Sequence, residues 1–226
     1  MGYRPKQRIL CAGMHRSGST WLFNTIRMIY ICDQESVYSY FFSEYESSRG
    51  VKATIHVAKT HQFEDVLSVK YDYIFTTCRD LRDVAASAVR KGIIPNNTST
   101  ILKYLRKLLS EEYENWRSYS DMEVVYEDMV NDKVDMTRSI ADRLEIEVDP
   151  VIVSQAVEKL PFPEKGEPYF RDTQIHYGHI TNGTPGSYHE TLSKRTIRKI
   201  ERQFSSWLID RHYMLEKSPK KWWRFR

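Results

Sequence analysis

The sequence predicts an α/β protein whose 226 residues form one domain around a parallel sheet flanked by helices on both faces. Three observations support this fold class: short apolar runs alternate with helical patterns, the first run ends at a glycine-rich turn, and no internal repeat or low-complexity linker divides the chain. Alternating strands and helices produce parallel strands joined by crossover helices, which cover both faces of a sheet. We expect the folded core to span about residues 8–214.

The first half of the chain contains three predicted strands. Residues 8–12 (RILCA) are an apolar run that ends at Gly13, as a buried strand before a tight turn does. Hydroxyl residues at 19–20 then open an apolar helical segment, TWLFNTIRMIYI. Residues 53–58 (ATIHVA) alternate as a second strand, and residues 72–78 (DYIFTTC) form a third.

The third strand leads directly into a helix, RDLRDVAASAVRKG at residues 79–92. Asp80 can cap this helix, Asp83 favours its first turn, and Gly92 can end it. The two aspartates could be mistaken for a catalytic carboxylate pair, but their spacing suits capping better. We therefore assign both a structural role.

The second half continues the alternation. Apolar side chains at helical spacing predict a helix with Ile101, Leu105, Leu108, Leu109 and Trp116 on one face. Residues 122–127 (MEVVYE) form a fourth predicted strand, and apolar residues from Met136 to Leu144 repeat every fourth position. A strongly amphipathic helix near the end carries Ile197, Ile200, Phe204, Trp207 and Leu208.

The composition indicates a soluble protein that suits an anionic ligand. Charged residues make up 28%, and the net charge of +4 is too small to demand nucleic acid. Three cysteines without CxxC pairing favour a reducing compartment, with no disulfide framework and no metal site. No apolar run approaches the roughly 20 residues needed to span a bilayer. The N-terminus, MGYRPKQR, lacks the apolar stretch of a signal peptide, so we expect a cytoplasmic protein.

Residues 13–21, GMHRSGSTW, have the glycine spacing of a phosphate-binding loop. Glycines allow a tight turn that aims several N–H groups at one anion, and the following helix adds its positive end. In the nucleoside-triphosphatase pattern GxxxxGK[ST], the lysine reaches the terminal phosphates. Here Ser19 occupies the lysine position, and the cation is Arg16 inside the loop. Such a loop can hold a phosphate but is poorly equipped for magnesium-assisted phosphoryl transfer; a plain Gly/Ser turn is the alternative.

Five elements in order resemble the P-loop sulfotransferase family. The loop at 13–21 is similar to the family's 5′-phosphosulfate loop, and AKTH at 58–61 resembles the KTH element of its cytosolic branch. Residues 79–92 resemble the 3′-phosphate segment, and VVYEDM at 124–129 resembles the tyrosine-bearing YED strand. HITNGTPGSYHETLS at 179–193 looks like the late glycine-rich loop, and a final amphipathic helix follows it.

The resemblance implies transfer of a sulfuryl group from 3′-phosphoadenosine 5′-phosphosulfate (PAPS), which leaves 3′-phosphoadenosine 5′-phosphate (PAP), without a metal. Carried over by position, the residues that would hold the 5′-phosphosulfate are Arg16, Ser17, Gly18, Ser19 and Thr20. Trp21 would pack on the adenine, and Tyr126 would approach it. Arg79 and Ser87 would bind the 3′-phosphate. The physical argument agrees for Arg79, since an arginine after a strand lies where open α/β sheets bind ligands and its planar fork suits phosphate.

Three residues are candidates for the chemistry of transfer. Arg16 and Lys59 can neutralise the departing phosphate. His61 is the candidate base, because an imidazole near its ordinary pKa can take a proton from a hydroxyl. A hydrogen-bonded structural histidine is the alternative reading of His61, and the KTH context favours the base.

Other groups stay open as alternatives. Some branches of the family use a glutamate near the first helix as base, which leaves Asp33 and Glu35 as candidates. His15 lies in the loop itself and can face either ligand or solvent.

The late loop departs from the family pattern. The cytosolic branch has an Arg-Lys-Gly triplet there, whereas residues 181–183 read TNG. Backbone N–H groups of Asn182 and Gly183 could bind the 3′-phosphate instead, with help from His179 or His189.

The resemblance implies an enzyme that acts on a hydroxyl or amine of a small molecule or glycan, and we do not expect nucleic acid as a partner. Residues 36–49 and 161–178 are aromatic, polar and irregular, and we expect them to line the acceptor entrance. The basic aromatic tail at 217–226 could contact a membrane surface weakly or fold back on the body. The alternatives are a P-loop nucleotide or small-molecule kinase, and a non-catalytic nucleotide-binding or nucleic-acid-binding protein that uses Arg79 and this tail.

Overall fold

The structure is a computed structural model that describes residues 5–63, 69–178 and 182–216. It confirms the predicted α/β class: five parallel strands form one sheet in the order β2-β3-β1-β4-β5. The strands are β1 (Gln7–Cys11), β2 (Val37–Phe41), β3 (Ile55–Lys59), β4 (Tyr73–Cys78) and β5 (Met122–Val125).

The helices among the described residues are α1 (Ser19–Cys32), α2 (Tyr45–Ser48), α3 (Leu81–Arg90), α4 (Thr98–Lys107), α5 (Glu114–Arg117), α6 (Tyr126–Asn131), α7 (Lys133–Leu144), α8 (Pro150–Glu158), α9 (Tyr188–Thr191), α10 (Lys194–Gln203) and α11 (Ser205–Asp210). A short 3₁₀ turn covers Phe42–Glu44, and a π-helical segment covers Leu108–Tyr113. Several helices begin where a side chain accepts a hydrogen bond from the first turn, as Asp132 does for α7 and Asp149 for α8. These caps satisfy N–H groups that have no partner inside the helix.

The chain divides into two compact units, residues 1–79 with 107–180, and residues 80–106 with 181–226. The first unit contains the sheet. Ile9 and Cys11 of β1 pack on one face with residues of α1, α7 and α8, whereas Leu10 and Ala12 pack on the other with Trp116 of α5. Successive side chains of a strand point to opposite faces, so this sheet is covered on both sides as predicted. That residues 1–226 form one domain stays a prediction.

The second unit is organised around a buried arginine, Arg82 of α3. Its guanidinium lies 2.6 Å from Asp80 Oδ2 and 2.6 Å from Glu201 Oε1 of α10, and it also donates to the carbonyl oxygen of Met214. Burial disfavours the charged form, but the hydrogen bonds and charges of these carboxylates outweigh it and raise the pKa of Arg82. The predicted capping role of Asp80 is confirmed, because its side chain accepts from the Arg82 N–H.

Three sequence predictions about elements are wrong. The segment 36–49 is not irregular: β2 pairs with β3 along its whole length, and α2 follows it. Alternating tyrosines support an edge strand there, although their polarity hides it in the sequence. Tyr126 begins α6 instead of extending a strand, because β5 ends at Val125. The final amphipathic helix is broken at Phe204 into α10 and α11.

Some predictions fall outside the described residues: His179, Thr181 and the tail at 217–226. In the part of the chain that the structure describes, no helix is long and apolar enough to cross a membrane. Cys11, Cys32 and Cys78 are thiols that are not joined in disulfides.

Candidate active site

The candidate site of the first unit lies at the carboxyl edge of the sheet, where β1 stands between β3 and β4. The chain adds β2 and β3 on one side of β1 and then β4 and β5 on the other. The loops that leave β1 and β4 therefore diverge and open a crevice, which is where open α/β sheets bind ligands. The loop after β1 and Arg79 after β4 both belong to this edge.

The loop between β1 and α1 requires its glycines for a steric reason. Gly13 has φ +108°, and a Cβ there would lie 2.6 Å from the Thr77 backbone nitrogen of β4. Gly18 has φ +90°, and a Cβ there would lie 2.9 Å from Cδ2 of Tyr126. Arg16, between them, also has a left-handed backbone with φ 66°. The loop thus keeps a strained conformation of the kind that functional sites retain.

Ser17 connects the loop to β4 through its hydroxyl group. Its Oγ lies 2.5 Å from the Met14 carbonyl oxygen, to which it donates, and 2.5 Å from Thr77 Oγ1. This hydroxyl therefore holds the loop fold. The assignment of Ser17 to the donor phosphosulfate stays a prediction.

Arg79 is buried against the loop with unused hydrogen-bonding capacity. It is 3% exposed, donates from Nη1 to the Arg16 carbonyl oxygen at 3.3 Å, and stacks 3.8 Å from the Tyr126 ring centroid. Its Nε and Nη2 are buried and find no hydrogen-bond partner among the described residues. Leaving charged N–H groups buried and unpaired is costly, and proteins avoid it unless another group satisfies them. The geometry therefore suits an anion bound at Arg79.

Lys59 ends β3 inside the same unit. It is 4% exposed, and its Nζ donates a hydrogen bond to Thr20 Oγ1. Burial is the main cause that lowers the pKa of Lys59 to about 8; Cys11 has a smaller opposing effect, and the charge of Arg16 lowers the pKa by less still. A bound anion would favour the charged form of this amine.

His61 follows β3, and one of its ring nitrogens makes a hydrogen bond to the backbone. Its Nδ1 lies 2.8 Å from the Gly13 carbonyl oxygen, and the ring is 7% exposed. A carbonyl only accepts, so Nδ1 carries the hydrogen and, in the neutral ring, Nε2 carries the lone pair. This is the tautomer in which Nε2 can act as a base.

The remaining predicted residues of the first unit surround the loop. Ser19 and Thr20 are buried in the first turn of α1, and Trp21 packs against the core beside them. The Tyr126 ring lies between Gly18 and Arg79. Binding of the donor by these residues stays a prediction.

Three predicted residues belong to the second unit. Ser87 is buried in α3. Asn182 accepts from Arg90 Nη2 at 3.2 Å through its carbonyl oxygen, and its side chain donates to Glu190 Oε2. Gly183 follows it in the late loop. Their roles toward a 3′-phosphate stay predictions.

Asp83 has a role that the sequence pattern did not show. It lies in the first turn of α3 as expected, but its carboxylate accepts from the N–H groups of Gly186 and Tyr188 at 2.7 and 2.9 Å. It therefore ties the late glycine loop to α3 within the second unit. No local spacing signals such a contact, because the partners are more than 100 positions away.

The alternative bases are far from the loop. Asp33 caps the carboxyl end of α1, and Glu35 pairs with Lys6 Nζ at 2.8 Å. The loop is at the other end of α1, and 14 helical residues extend about 21 Å. The hypothesis that either carboxylate is the base is therefore wrong.

The two segments predicted to line an acceptor entrance contact each other. Arg171 Nε lies 3.2 Å from Glu44 Oε2, and Ser39 Oγ donates to the Asp172 carbonyl oxygen at 2.9 Å. The Phe41 ring at the end of β2 is 6.3 Å from the His61 ring. Both segments therefore belong to the same region of the first unit as His61.

Sequence reasoning missed one residue of this region, Glu112. Its Oε2 accepts from both the backbone N–H and ring Nδ1 of His15, at 2.9 and 2.8 Å. His15 in turn stacks on His61 with ring centroids 3.7 Å apart. Glu112 lies in the π-helical segment, a rare geometry that recurs at functional sites.

Comparison with known proteins finds similar structures but no sequence match. No family model matches the sequence, and no curated protein matches it either. The solved structure of mouse sulfotransferase SULT7A1 complexed with PAP is similar, with a TM-score of 0.68 at 15% identity, covering 92% of this chain and 86% of that one. The chain has a sulfotransferase fold.

Other structures with this fold agree. Retinol dehydratase in a complex with retinol and PAP has a TM-score of 0.62 at 16% identity, covering 96% of this chain and 84% of that one. The same enzyme with androsterone and inactive cofactor PAP has a TM-score of 0.59 at 15% identity, with the same coverage. The fold that the ordered motifs predicted is thereby confirmed.

Proposed function

We propose that this protein is a PAPS-dependent sulfotransferase that transfers a sulfuryl group to a hydroxyl or amine of a small-molecule or glycan acceptor and releases PAP. The observation that carries the proposal is Arg79, a buried guanidinium with two N–H-bearing nitrogens unpaired among the described residues, packed against the loop that carries Arg16. A nucleotide with phosphates at two positions needs two cationic contacts in one crevice, and Arg16 and Arg79 supply them. The similar structures of mouse sulfotransferase SULT7A1 and of retinol dehydratase contain PAP.

The residues divide the chemistry between them. Arg16 and Lys59 neutralise charge on the departing phosphate, and the burial of Lys59 strengthens its part of that interaction. His61 Nε2 takes the proton from the acceptor hydroxyl or amine as that atom forms its bond to sulfur. The Gly13 carbonyl holds His61 in the required tautomer throughout.

The acceptor is proposed to enter beside β2. The segments 36–49 and 161–178 are joined by Arg171 and Glu44, and the end of β2 brings an aromatic ring near His61. Aromatic side chains there suit a small organic acceptor with an apolar body. Retinol and androsterone, the molecules bound in similar structures, are of that kind.

The test compares two donors and two variants. Incubation with ³⁵S-labelled PAPS and a panel of hydroxylated and amine acceptors is expected to give labelled product, whereas γ-labelled ATP gives none. His61→Ala is expected to keep PAP binding by calorimetry and to lower turnover at least about 100-fold, since general-base catalysis contributes that much. His212→Ala, an exposed histidine, serves as the matched control. Phosphate transfer from ATP, or full turnover by His61→Ala, would contradict the proposal.

A further inference from the structure

Glu112 accepts two hydrogen bonds from His15, the histidine of the loop at residues 13–21. One carboxylate oxygen accepts from the His15 backbone N–H at 2.9 Å and from His15 Nδ1 at 2.8 Å. The carboxylate favours a hydrogen on Nδ1, so it sets both the orientation and the tautomer of that ring. The side chain of Glu112 is 19% exposed, and that of His15 is 46% exposed. The contact joins the π-helical segment to the loop across 97 positions of sequence.

The oriented His15 ring lies flat on the ring of His61. The centroids are 3.7 Å apart and the planes differ by 26°. His61 also donates a hydrogen bond from Nδ1 to the Gly13 carbonyl oxygen. The ring that we propose as base is therefore fixed by a hydrogen bond in its plane and by a second imidazole on its face.

The same three side chains could be read as a metal site, since one ligand atom from each lies within 4.8 Å of the others. The ring geometry favours the stack instead. Two imidazoles bound to one zinc at about 2.0–2.1 Å hold their ring centroids roughly 5 Å apart. The observed separation of 3.7 Å is shorter than that. The two ring planes are also nearly parallel, so the nitrogen lone pairs, which lie in those planes, do not converge on one point.

The charges of neighbouring groups affect how readily the His61 ring is protonated. Two cations are close to these histidines along the chain: Arg16 follows His15, and Lys59 lies two positions before His61. On the β2 side the packing group is the uncharged ring of Phe41. Cations oppose protonation of a neighbouring imidazole, whereas a carboxylate favours it. Glu112 is a carboxylate that contacts His15, one of the two rings of this stack.

We propose that Glu112 and His15 form a positioning pair that orients His61 and stabilises its protonated form when it accepts the proton of the acceptor group. The catalytic part of this inference rests on the proposed sulfotransferase function. The titration of His61 does not, because it is a property of the folded chain alone.

The test measures the His61 titration directly by NMR in protein with ¹³C-labelled histidine, its signal assigned with His61→Ala. Glu112→Gln removes the charge and keeps the size of the side chain. Its expected effect is to lower the His61 midpoint by about one pH unit, because the imidazolium loses a nearby anion. Glu112→Asp is expected to restore part of the shift. Glu111→Gln is the matched control, since Glu111 is on the same segment but pairs with Lys107.

Activity provides the second readout. In Glu112→Gln the acid limb of the kcat profile is expected to move to lower pH by the same amount, with kcat at the optimum reduced on the order of tenfold. A shift in the NMR midpoint without any sulfuryl transfer by the unmodified protein would support the pair and overturn the proposed function.

One result overturns the positioning pair: a His61 midpoint that moves no further in Glu112→Gln than in Glu111→Gln. A merely structural role would lower stability and kcat while leaving that midpoint in place. If Glu112→Gln loses the native circular dichroism spectrum, Glu112→Ala replaces it, because it also removes the carboxylate. The same downward shift is then expected, and an unchanged midpoint overturns the proposal.

Discussion

Two buried arginines, three positions apart in the sequence, have opposite surroundings. In Arg82 every guanidinium nitrogen donates to an acceptor, namely Asp80, Glu201 or the Met214 carbonyl. In Arg79 only Nη1 has an acceptor among the described residues. A fully paired buried ion contributes to the fold of its unit, whereas a partly paired one indicates a ligand.

The arginine pair gives a prediction about stability and binding. Arg79→Met is expected to change the free energy of unfolding by less than about 1 kcal/mol, because losing one bond and the Tyr126 contact is offset by removing unsatisfied donors. The same variant is expected to weaken PAP binding by about 100-fold or more, the loss of two charge-assisted hydrogen bonds. Urea denaturation and calorimetric titration with PAP measure the two effects.

Arg82→Met is the control for that prediction. It leaves Asp80 and Glu201 buried without their cation, so it is expected to cost about 3–5 kcal/mol. The interpretation of Arg79 would be contradicted if Arg79→Met cost as much as Arg82→Met and still bound PAP normally.

At the scale of elements, the loop between β1 and α1 depends on its close approach to β4. A side chain at position 13 would collide with the backbone of Thr77, which belongs to the sheet and cannot move aside. A side chain at position 18 would meet the edge of the Tyr126 ring, which can shift. Both positions also have positive φ, which costs a residue with a Cβ about 1–3 kcal/mol.

The two glycines should therefore differ in their response to the same substitution. Gly13→Ala is expected to destabilise by about 3 kcal/mol or more, and Gly18→Ala by about 1–2 kcal/mol. Urea denaturation of both variants at one pH gives the comparison. Equal losses at the two positions would mean that backbone conformation alone, and not contact with β4, determines the cost.

Helix and strand patterns predicted most elements but not their irregular parts. The stripe from Ile101 to Trp116 indicated one helix, and the chain does run helically there, but as α4, a π-helical segment and α5. The extra residue in a π turn rotates the side chains that follow by a fraction of a turn. The segment also makes a tertiary contact, Glu112 with His15, that a local pattern does not contain.

At the scale of the whole molecule, a buried lysine makes stability depend on pH. Burial lowers the pKa of Lys59 to about 8, from 10.5 in an exposed lysine. Between those values the unfolded chain binds more protons than the folded one, so the free energy of unfolding rises with pH. Below about pH 8 both states are protonated and the cost of burying the charge is at its full value.

Lys59→Met removes that dependence. Relative to the variant, the unmodified protein is expected to gain about 3 kcal/mol between pH 8 and pH 10.5, the equivalent of the lowered pKa. The lost bond to Thr20 adds a constant offset at every pH. Urea denaturation across this range measures the difference, with Lys103→Met as an exposed control. Parallel curves for Lys59→Met and the unmodified protein would contradict a buried charged amine.

Local spacing determined much of this protein. The sequence showed the glycines at 13 and 18, the arginine at 79 that follows a strand, and the KTH element at 59–61, because each depends on neighbours within a few positions. Their order along the chain also predicted the parallel sheet, because a strand followed by a glycine turn and a helix is typical of α/β proteins.

The tertiary structure decided which side chains meet. It paired Glu112 with His15 across 97 positions and Asp83 with the late loop across more than 100, and it left Arg79 with unpaired donors among the described residues. It also placed Asp33 and Glu35 at the end of α1 opposite the loop at residues 13–21. The physical reason is that hydrogen bonds and burial depend on distance in space, whereas sequence spacing reports only contacts within a turn or between neighbouring residues of a strand.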